Sequence, residues 1–528
     1  TITGDGNAQQ LAGGAGNDTI TGGGNGDTFV IGNRSVYGTD GGTDVITDFT
    51  IGEDGFDFSG IPDNTTQITA AFAAAVNTPG GAQVVFSDGT TIVLQGITAA
   101  QAQALDPFAA AVVTGGVPTI PGTSGNDSLT GTAGGEQIEG GDGDDTIFGN
   151  GGGDTLLGGN GVDLIDATAN EGNDILNPGE NGGSGDTILM GVGDDTVSFS
   201  DISLGFVSLE YNAPTNGLTG PIDVTVDGGT GTGSIVKGAA GVDGTDTLEN
   251  VNNVLAAGWT TGGLSITGTS GDDNFDINVV GEQWMSIRMG DGVDSVSVNG
   301  DALLRLDFRD AMGGIDVNLA NGAIANDGYG NAESITGSNS IWEIYGSMGD
   351  DTVTGTTGYE SYRYGGGSNS VSAFERARYD VSDVTGITAD LSTGTVTGSS
   401  GTGAFTDTLL GVEYLRGSNA ADDLSDSESS DRLDGKDGAD IFRISGGQDI
   451  IGDFEIGIDQ LDVSSFGLSD TEVQSAFANA TDVPGGALVN FNNGSTLFFG
   501  NLTAAQVQSL DPLQAAVPND DDLLIGTN

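Results

Sequence analysis

Apolar positions recur every nine residues along the clearest stretch of this chain, from Gly122 to Asp166. Read in nines, the stretch gives five units in unbroken register: GTSGNDSLT, GTAGGEQIE, GGDGDDTIF, GNGGGDTLL and GGNGVDLID. Glycine opens every unit, an acidic residue holds the sixth place and an aliphatic residue holds the eighth. Such a unit divides into a turn and a short strand, because glycine permits the positive φ that tight turns need. The pattern predicts strands whose aliphatic residues share one narrow core: Leu129, Ile138, Ile147, Leu156 and Ile165.

The acidic sixth positions indicate a cation site at the turns. Calcium is a hard cation that takes about six to eight oxygen ligands from carboxylates and backbone carbonyls, and one turn cannot supply them all. Glycine-rich turns can point their carbonyls inward, so stacked turns could pool their ligands. The first predicted calcium ligands are the sixth-position residues Asp127, Glu136, Asp145, Asp154 and Asp163.

These units resemble the calcium-binding nonapeptide G-G-x-G-x-D-x-U-x of the RTX (repeats-in-toxin, hemolysin-type) family. The resemblance implies a β-roll in which successive turns alternate between two edges, so that units two apart stack and share an ion. It would pair Asp145 with both Asp127 and Asp163 on one edge, and Glu136 with Asp154 on the other. The alternative is a disordered glycine-rich tract, which fits poorly with strict register over five units. A third interpretation is a chain that is disordered without calcium and folded with it.

Weaker matches extend the set of candidate ligands. They form units at 13–30, 182–198, 268–276, 289–297, 346–354 and 417–443. In the last run, Asp422 and Asp440 are expected to share an edge, and Asp431 is expected to lie opposite. The further predicted calcium ligands are Asp18, Asp27, Asp186, Asp195, Asp273, Asp294, Asp351, Asp422, Asp431 and Asp440.

A second kind of repeat, without nonapeptides, occurs twice. Residues 44–111 reappear at 449–516 without a gap. The first copy predicts an alanine-rich helix over Thr66 to Val76, a hairpin over Gln83 to Leu94 and a helix that begins at the capping box Thr98-Ala-Ala-Gln101. Its opening, DVITDFTIGEDGFDFS, resembles the segment that closes RTX rolls in secreted proteases and lipases. We therefore expect two small α/β closing modules.

Residues 206–416 carry a weaker and longer repeat. DVNLANGAI (316–324) is similar to TADLSTGTV (388–396), and an acidic and aliphatic segment follows each. Larger turns of a parallel β-solenoid, with β-branched strands, would account for this spacing. An aromatic cluster in this part favours packing or a protein contact over a sugar-binding platform. Its members are Trp342, Tyr345, Tyr359, Tyr362, Tyr364 and Tyr379.

Composition adds a strong charge imbalance. The 528 residues include 76 acidic and 12 basic side chains, for a formal net charge of −64 at pH 7. Self-repulsion at this charge favours expansion, and bound divalent cations would offset much of it. A halophile surface is the alternative, but it would scatter its acidic residues, whereas many aspartates here hold fixed repeat positions. The imbalance excludes nucleic acid as a natural partner and disfavours anionic lipid.

The chain contains no cysteine and no histidine. Disulfides, zinc fingers, histidine-dependent triads and HExxH metalloprotease sites are therefore excluded. Nothing in the pattern places two carboxylates across a cleft, and no GKS or GKT follows the glycine-rich turns, so we expect neither an enzyme nor a phosphate loop. No apolar run is long enough to span a membrane, and no signal peptide stands at Thr1. The RTX resemblance implies type I secretion, guided by a C-terminal signal, to the bacterial cell surface or the extracellular medium.

Together the patterns predict an all-β protein, a parallel β-roll and β-solenoid with RTX nonapeptide repeats and two small α/β closing modules. A further RTX run starts at Asn519 and the chain stops at Asn528, so either the natural protein continues or a partner chain completes that roll. The predicted domains are a short RTX β-roll at 1–43, closing module copy 1 at 44–116, an RTX β-roll at 117–205, an irregular parallel β-solenoid at 206–416, an RTX β-roll at 417–448, closing module copy 2 at 449–518 and the start of a further RTX run at 519–528.

The function that follows is structural. We expect a secreted calcium-binding protein that folds and self-assembles with Ca²⁺ into a surface layer or extracellular filament. Its expected partners are other copies of itself, in a head-to-tail or lattice contact, and a cell-surface polysaccharide. The alternatives are a calcium-dependent adhesin, for which the aromatic cluster would be the ligand patch, and the RTX secretion tail of a larger secreted hydrolase.

Overall fold

A computed structural model describes residues 1–510 of the chain. The positions within this range that it does not describe are 5–9, 13–15, 25, 33–41, 52–53, 61–64, 88, 106, 108–118, 169–171, 181–184, 201, 203–204, 214–215, 219, 257–261, 280, 282, 301–302, 357 and 359. The chain divides into two compact units, Thr1–Thr119 and Ile120–Asn528. In the described part, no helix has the length and apolar character needed to cross a bilayer.

The first unit combines short parallel strands with a helix-and-hairpin module. The strands form a six-stranded sheet in the order β1-β3-β5-β9-β8-β7 and a three-stranded sheet in the order β2-β4-β6. The elements are β1 (Ile2–Thr3), β2 (Gln10–Ala12), β3 (Thr19–Thr21), β4 (Thr28–Gly32), β5 (Thr43–Ile46), β6 (Gly55–Gly60), α1 (Thr65–Ala73), β7 (Val76–Thr78), β8 (Gly81–Val85), β9 (Thr91–Leu94) and α2 (Ala99–Gln103).

The module contains the predicted elements. Helix α1 ends three residues before the predicted Val76, because Val76 already pairs with Gln83 in the neighbouring strand. Strands β8 and β9 form the predicted antiparallel hairpin. The predicted capping box is present, since Thr98 accepts a hydrogen bond from the Gln101 amide while the Gln101 side chain accepts one from Thr98.

The second unit is a long two-sheet solenoid. Its strands, in chain order, are β10 (Thr119–Pro121), β11 (Ser128–Thr130), β12 (Gln137–Asp142), β13 (Thr146–Phe148), β14 (Thr155–Asn160), β15 (Leu164–Asp166), β16 (Ile175–Glu180), β17 (Gly185–Leu189), β18 (Thr196–Ser198), β19 (Gly205–Glu210), β20 (Ile222–Asp227), β21 (Thr232–Lys237), β22 (Gly244–Glu249), β23 (Gly262–Thr267), β24 (Asn274–Val279), β25 (Trp284–Arg288), β26 (Ser295–Gly300), β27 (Leu303–Asp307), β28 (Asp316–Asn318), β29 (Ala323–Asn326), β30 (Glu333–Thr336), β31 (Ile341–Tyr345), β32 (Thr352–Thr354), β33 (Ser361–Arg363), β34 (Ser370–Ser372), β35 (Arg376–Arg378), β36 (Ile387–Asp390), β37 (Thr395–Ser400), β38 (Gly403–Leu410), β39 (Tyr414–Arg416), β40 (Asp423–Ser425), β41 (Arg432–Asp434), β42 (Ile441–Arg443), β43 (Gln448–Ile451), β44 (Gln460–Asp462), β45 (Thr481–Val483), β46 (Gly486–Asn490) and β47 (Thr496–Gly500). Its helices are α3 (Val251–Ala256), α4 (Asp470–Ala478) and α5 (Ala504–Gln508), with 3₁₀ turns at Ala239–Gly241, Ser338–Ser340 and Ser464–Phe466.

Successive repeats alternate between the two sheets, as the resemblance implied. The 17-strand sheet begins β11-β13-β15, and the 21-strand sheet contains β12-β14-β16. Units two apart stack in parallel, which places Ser128 beside Thr146 and Gln137 beside Thr155. All-parallel β-roll stacking is therefore confirmed for the nonapeptide run.

The predicted aliphatic positions form the core between the sheets. Ile138, Ile147, Leu156 and Ile165 are fully buried, and each contributes about 1.5–3 kcal/mol by leaving water. Leu129 is only half-buried because it lies on β11, the terminal strand of its sheet.

The long repeat of the middle segment differs from the prediction. Segments 316–324 and 388–396 fold as the antiparallel hairpins β28–β29 and β36–β37, inserted into an otherwise parallel sheet. Glycines with left-handed backbone, Gly322 (φ 68°) and Gly394 (φ 66°), reverse the chain at the two turns. A third hairpin, β20–β21, belongs to the same set. The repeated segments therefore form tight antiparallel hairpins and not wider turns of the parallel solenoid.

The second closing module repeats the first in its hydrogen bonds. The Ala504 amide donates to Asp482 Oδ1 as the Ala99 amide donates to Asn77 Oδ1. Thr503 opens its helix with the same capping box as Thr98. The predicted RTX run at 519–528 lies outside the described residues.

Candidate metal centre

A ladder of hydrogen bonds joins the sixth-position carboxylates of stacked units. The Asp127 amide donates to Asp145 Oδ1 at 2.7 Å, and the Asp145 amide donates to Asp163 Oδ1 at 2.9 Å. On the opposite edge the Glu136 amide donates to Asp154 Oδ1 at 2.8 Å. The structure thus brings these five residues together in the predicted pairs, with one carboxylate oxygen of each acceptor residue committed to the backbone.

The C-terminal nonapeptide run contains the same ladder. The Asp422 amide donates to Asp440 Oδ1 at 2.8 Å, which places these two residues on one edge as predicted. The Asp431 amide donates at 3.1 Å to Asp449 Oδ1 on the other edge. The sequence analysis missed Asp174 because its unit, ANEGNDILN, is two residues out of register with that of Asp163, and it missed Asp449 because this residue was assigned to the second closing module. The sequence signal that could have identified both residues is an aspartate two positions before an aliphatic residue, Leu176 or Ile451.

The second carboxylate oxygen divides the turns into two groups. In what we call the open turns, Oδ2 is buried and accepts no hydrogen bond. A buried ionised oxygen without a partner is costly, so these atoms favour a bound cation when they are ionised. The open turns are those of Asp145, Asp154, Asp163, Asp294, Asp440 and Asp449.

In the closed turns a serine or threonine at the second position of the unit satisfies the carboxylate. The Thr123 amide donates to Asp127 Oδ2 at 2.6 Å, and the Ser418 amide donates to Asp422 Oδ2 at 2.7 Å. In each closed turn the second carboxylate oxygen therefore already accepts a hydrogen bond from the protein. The closed turns are those of Asp127, Glu136, Asp273, Asp351, Asp422 and Asp431.

Backbone conformation at the second position explains this division. In the open turns the second residue has positive φ, as at Gly141 (110°), Asn150 (64°), Gly159 (111°) and Lys436 (76°). Glycine and asparagine tolerate this region, whereas β-branched threonine avoids it. Ser445 is the exception among the open turns, since its amide and hydroxyl donate to Asp426 and not to Asp449.

In the open units of Asp145 and Asp163, the first glycine leaves the space into which the oxygens project. A Cβ on Gly140 would collide with Asp145 Oδ2 and with the carbonyl oxygen of Gly158. A Cβ on Gly158 would collide in the same way with Asp163 Oδ2 and with the carbonyl oxygen of Pro178. Carboxylate and backbone carbonyl oxygens therefore approach one another over a bare Cα. This donor set fits Ca²⁺, which prefers hard oxygen ligands of both kinds.

Burial perturbs the acids of the open turns. Burial, with a smaller contribution from neighbouring carboxylates, raises the pKa of Asp154 to about 7, that of Asp163 to about 6 and that of Asp440 to about 7. Hydrogen bonds from backbone amides oppose the shift without cancelling it. A bound divalent cation would favour the charged form and reverse the direction of the shift.

Within the described ranges, no cluster of three or more acidic side chains is arranged to hold a metal ion by side chains alone. The open turns supply one free carboxylate oxygen each, and the surrounding backbone supplies carbonyls. Residues Asp145, Asp154, Asp163, Asp440 and Asp449 would hold calcium in this way, by ligands pooled from stacked turns.

Lys237 places a protein cation beside a predicted calcium ligand. Its fully buried Nζ lies 3.1 Å from Asp195 Oδ2, 2.5 Å from Asp246 Oδ1 and 2.7 Å from the Gly191 carbonyl oxygen. The Tyr211 hydroxyl donates to Asp246 Oδ2 at 2.7 Å. Asp195 continues the ladder from Asp174, but its second oxygen is paired with an ammonium group.

Tyrosine hydroxyls play a similar part further along the solenoid. Tyr362 donates to Asp351 Oδ2 at 2.9 Å, and Tyr379 donates to Asp407 Oδ2 at 2.6 Å. These two rings and Tyr364 are fully buried, so this part of the aromatic cluster is core and not an exposed ligand platform. Tyr359 lies outside the described residues.

The other predicted ligands join the ladders. The Asp163 amide donates to Asp186 Oδ1 at 2.9 Å. In the first unit, the amides of Asp18 and Asp27 donate to carboxylates of the closing module, Asp44 at 2.9 Å and Asp54 at 2.8 Å. Calcium binding by individual residues in these positions stays a prediction.

A second charged feature was missed by the sequence analysis. Eight of the chain's 12 basic residues lie on or beside the outward side of the 17-strand sheet, which we call the arginine face. Pairing in register sets Arg363, Arg378 and Arg416 side by side on β33, β35 and β39. The only sequence signal was the alternation Arg-Ala-Arg at 376–378. The members of the arginine face are Arg288, Arg305, Arg309, Arg363, Arg376, Arg378, Arg416 and Arg432.

Comparison with known protein families matches both repeat types. The family model described as RTX calcium-binding nonapeptide repeat (4 copies) matches residues 121–149, 130–165 and 416–451. The family model described as Peptidase M10 serralysin C terminal matches residues 5–104. A search of curated proteins finds no match. The nonapeptide matches cover the two runs that contain most of the open turns.

Proposed function

We propose that this chain, an RTX-repeat protein that is secreted by a type I system and binds calcium, is a non-catalytic structural subunit of a surface layer or extracellular filament. Calcium would act on two levels. It would complete the fold by compensating the buried carboxylates of the open turns, and it would lower the repulsion between chains that each carry a formal charge of −64.

The observation that carries the proposal is the series of unpartnered buried oxygens at Asp145, Asp154, Asp163, Asp440 and Asp449. They support a dependence of the nonapeptide runs on a bound cation. The repetition of one closing module, with the same internal hydrogen bonds in both copies, supports a building block that presents equivalent surfaces more than once.

Light scattering and negative-stain microscopy of the purified protein, first with chelator and then with millimolar calcium, test the proposal. Ordered sheets or filaments that form with calcium and dissolve on chelation are the expected result. A compact monomer at every calcium concentration would exclude the assembly role.

The serralysin C-terminal match favours a second candidate, the secretion tail of a larger hydrolase. The intact mass and N-terminal sequence of the protein recovered from culture medium separate the two. A secreted species that carries a catalytic domain ahead of this chain would favour the tail.

A further inference from the structure

The two outward sides of the solenoid carry opposite charge. The arginine face lies on one side, along strands β25 to β41. On the other side, the outward positions of the 21-strand sheet form what we call the acidic face, with Asp223, Glu249, Asp276 and Asp316 exposed. Among the described strands of that sheet, the basic residues are the buried Lys237 and Arg443, and Arg443 is paired with Asp423.

The arginine face holds more cationic groups than its own acids occupy. Asp307, Asp310, Glu343, Asp380 and Asp434 form ion pairs with its arginines. Like charges on adjacent strands repel, which is the situation of the row formed by Arg363, Arg378 and Arg416. Aromatic rings stack against four guanidinium groups of the face, with 4.3–5.8 Å between the guanidinium carbon and the ring centroid. The pairs are Arg305 with Trp284, Arg309 with Tyr345, Arg376 with Trp342 and Arg416 with Tyr414.

Several donors on this face lack an acceptor. Arg363 Nε and Arg416 Nε are buried without a hydrogen-bond partner, and Arg376 Nη2, which also lacks such a partner, lies 3.8 Å from Glu343 Oε2. In the open turns the unpartnered buried atoms are carboxylate oxygens, which call for a cation. Here they are guanidinium N–H groups, so the acceptors within this face do not satisfy all of its cationic donors.

We propose that the arginine face docks onto the acidic face of a second copy of this chain. This inference rests on the proposed assembly function and names the contact that builds it. Two chains of charge −64 repel one another, so a lateral contact needs a region where cations are in excess, and among the described residues the arginine face is that region. Because the two faces lie on opposite sides of one core, the contact is heterologous and adds copies without closing.

Two sets of substitutions test the contact by complementation. The first variant, Arg309→Glu with Arg432→Glu, removes the most exposed arginines of the face, whose side chains are 39% and 42% exposed. The second variant, Asp223→Asn with Asp276→Asn and Asp316→Asn, neutralises the acidic face. In millimolar calcium each variant alone is expected to lose assembly. A one-to-one mixture is expected to form dimers and nothing larger, since only one matched pair of faces remains.

The controls separate folding from docking. Arg309→Lys with Arg432→Lys keeps the charge and is expected to assemble, and Arg443→Gln removes an arginine from the opposite sheet and is expected to assemble as well. Near-ultraviolet circular dichroism and the thermal midpoint establish that each variant is folded.

Assembly of the folded arginine-to-glutamate variant at wild-type calcium concentrations would overturn the contact and leave the assembly function intact. A wild-type protein that stays monomeric with calcium would overturn both. If that monomer bound sodium polygalacturonate, and lost the binding on Arg309→Glu with Arg432→Glu, the face would be assigned to an anionic polysaccharide.

Discussion

Lys237 Nζ lies 3.1 Å from Asp195 Oδ2, in a ladder whose earlier member Asp154 has no partner on that oxygen. The Asp154 amide donates to Asp174, and the Asp174 amide donates to Asp195, so the three acids belong to one edge. Along this edge the carboxylate of Asp154 is left for a bound cation, whereas that of Asp195 is neutralised by a lysine side chain of the protein. At Asp195 and Asp246 the ammonium group of Lys237 supplies the positive charge.

Replacement of Lys237 by methionine is expected to lower the free energy of unfolding by about 3–5 kcal/mol, because it leaves Asp195 and Asp246 buried without their cation. Chemical denaturation in chelator measures the loss. Lys436→Met, which removes the same charge from a half-buried turn, is the control and should change stability by about 0.5 kcal/mol or less. Equal stability of the two variants would contradict the role of Lys237.

Calcium stoichiometry should distinguish open from closed turns. Asp154→Asn keeps the oxygen that accepts the Glu136 amide and neutralises the unpartnered one, so the number of bound ions should fall by about one or two, as expected for a shared ligand. Asp273→Asn, in a closed turn, should lower stability but leave the ion count unchanged. Isothermal titration with calcium gives both counts. A loss of ions in the Asp273 variant alone would reverse the assignment.

Gly140→Ala should damage one calcium turn without altering its carboxylate. The added Cβ would meet Asp145 Oδ2 and the Gly158 carbonyl oxygen, and overpacking of this kind costs about 1–3 kcal/mol. Weaker calcium binding and a lower thermal midpoint in calcium are the expected results. Gly125→Ala is the matched control, since no atom lies within 4 Å of its added Cβ.

The calcium-free protein should lose stability as pH rises from about 4 to about 7. Folded-state pKa values of about 7 for Asp154 and about 6 for Asp163 lie above the ordinary value of about 3.9. In this window the folded state holds more protons than the unfolded state, so the free energy of unfolding falls with increasing pH. The thermal midpoint in calcium-depleted buffer should be higher at pH 5 than at pH 8.

Bound calcium favours the ionised carboxylates and should reverse this order of midpoints. General charge repulsion also weakens the protein at higher pH. Asp154→Asn with Asp163→Asn controls for that contribution, because it removes these two titrations and should flatten the calcium-free profile. An unchanged profile would show that these two acids do not govern the pH dependence.

Chelation should open the nonapeptide run before the middle of the solenoid. The turns around Ile147 and Ile165 are expected to depend on a bound cation, whereas Tyr362 and Tyr379 donate hydrogen bonds to Asp351 and Asp407. Hydrogen exchange in chelator should therefore accelerate at 128–166 and stay slow at 361–378. Equal loss of protection in both segments would mean that the middle segment also needs calcium.

Much of the fold could be predicted from the sequence because residues within each nonapeptide specify one turn and one strand. Leu156 and Ile165 could be placed in the core, and Asp145 on an edge, since the nine-residue period repeats the same turn and strand. Asp174 was missed where the nine-residue register shifts by two residues, and Asp449 was missed because it lies at the start of the second closing module. The hairpins β28–β29 and β36–β37 were misinterpreted because short alternating segments look alike in parallel and antiparallel sheets.

By itself, the sequence determined the period of the solenoid and the oxygen-rich turns that suit calcium, because of glycine's backbone freedom and the spacing of one acidic and one aliphatic residue per unit. The stacking of units two apart was implied by the resemblance to RTX repeats. Only the tertiary structure decided which carboxylates remain without a partner. That depends on residues distant along the chain, such as Lys237 for Asp195 and Tyr379 for Asp407. The arginine face likewise arises when separate strands stack in register, so that arginines far apart along the chain become neighbours.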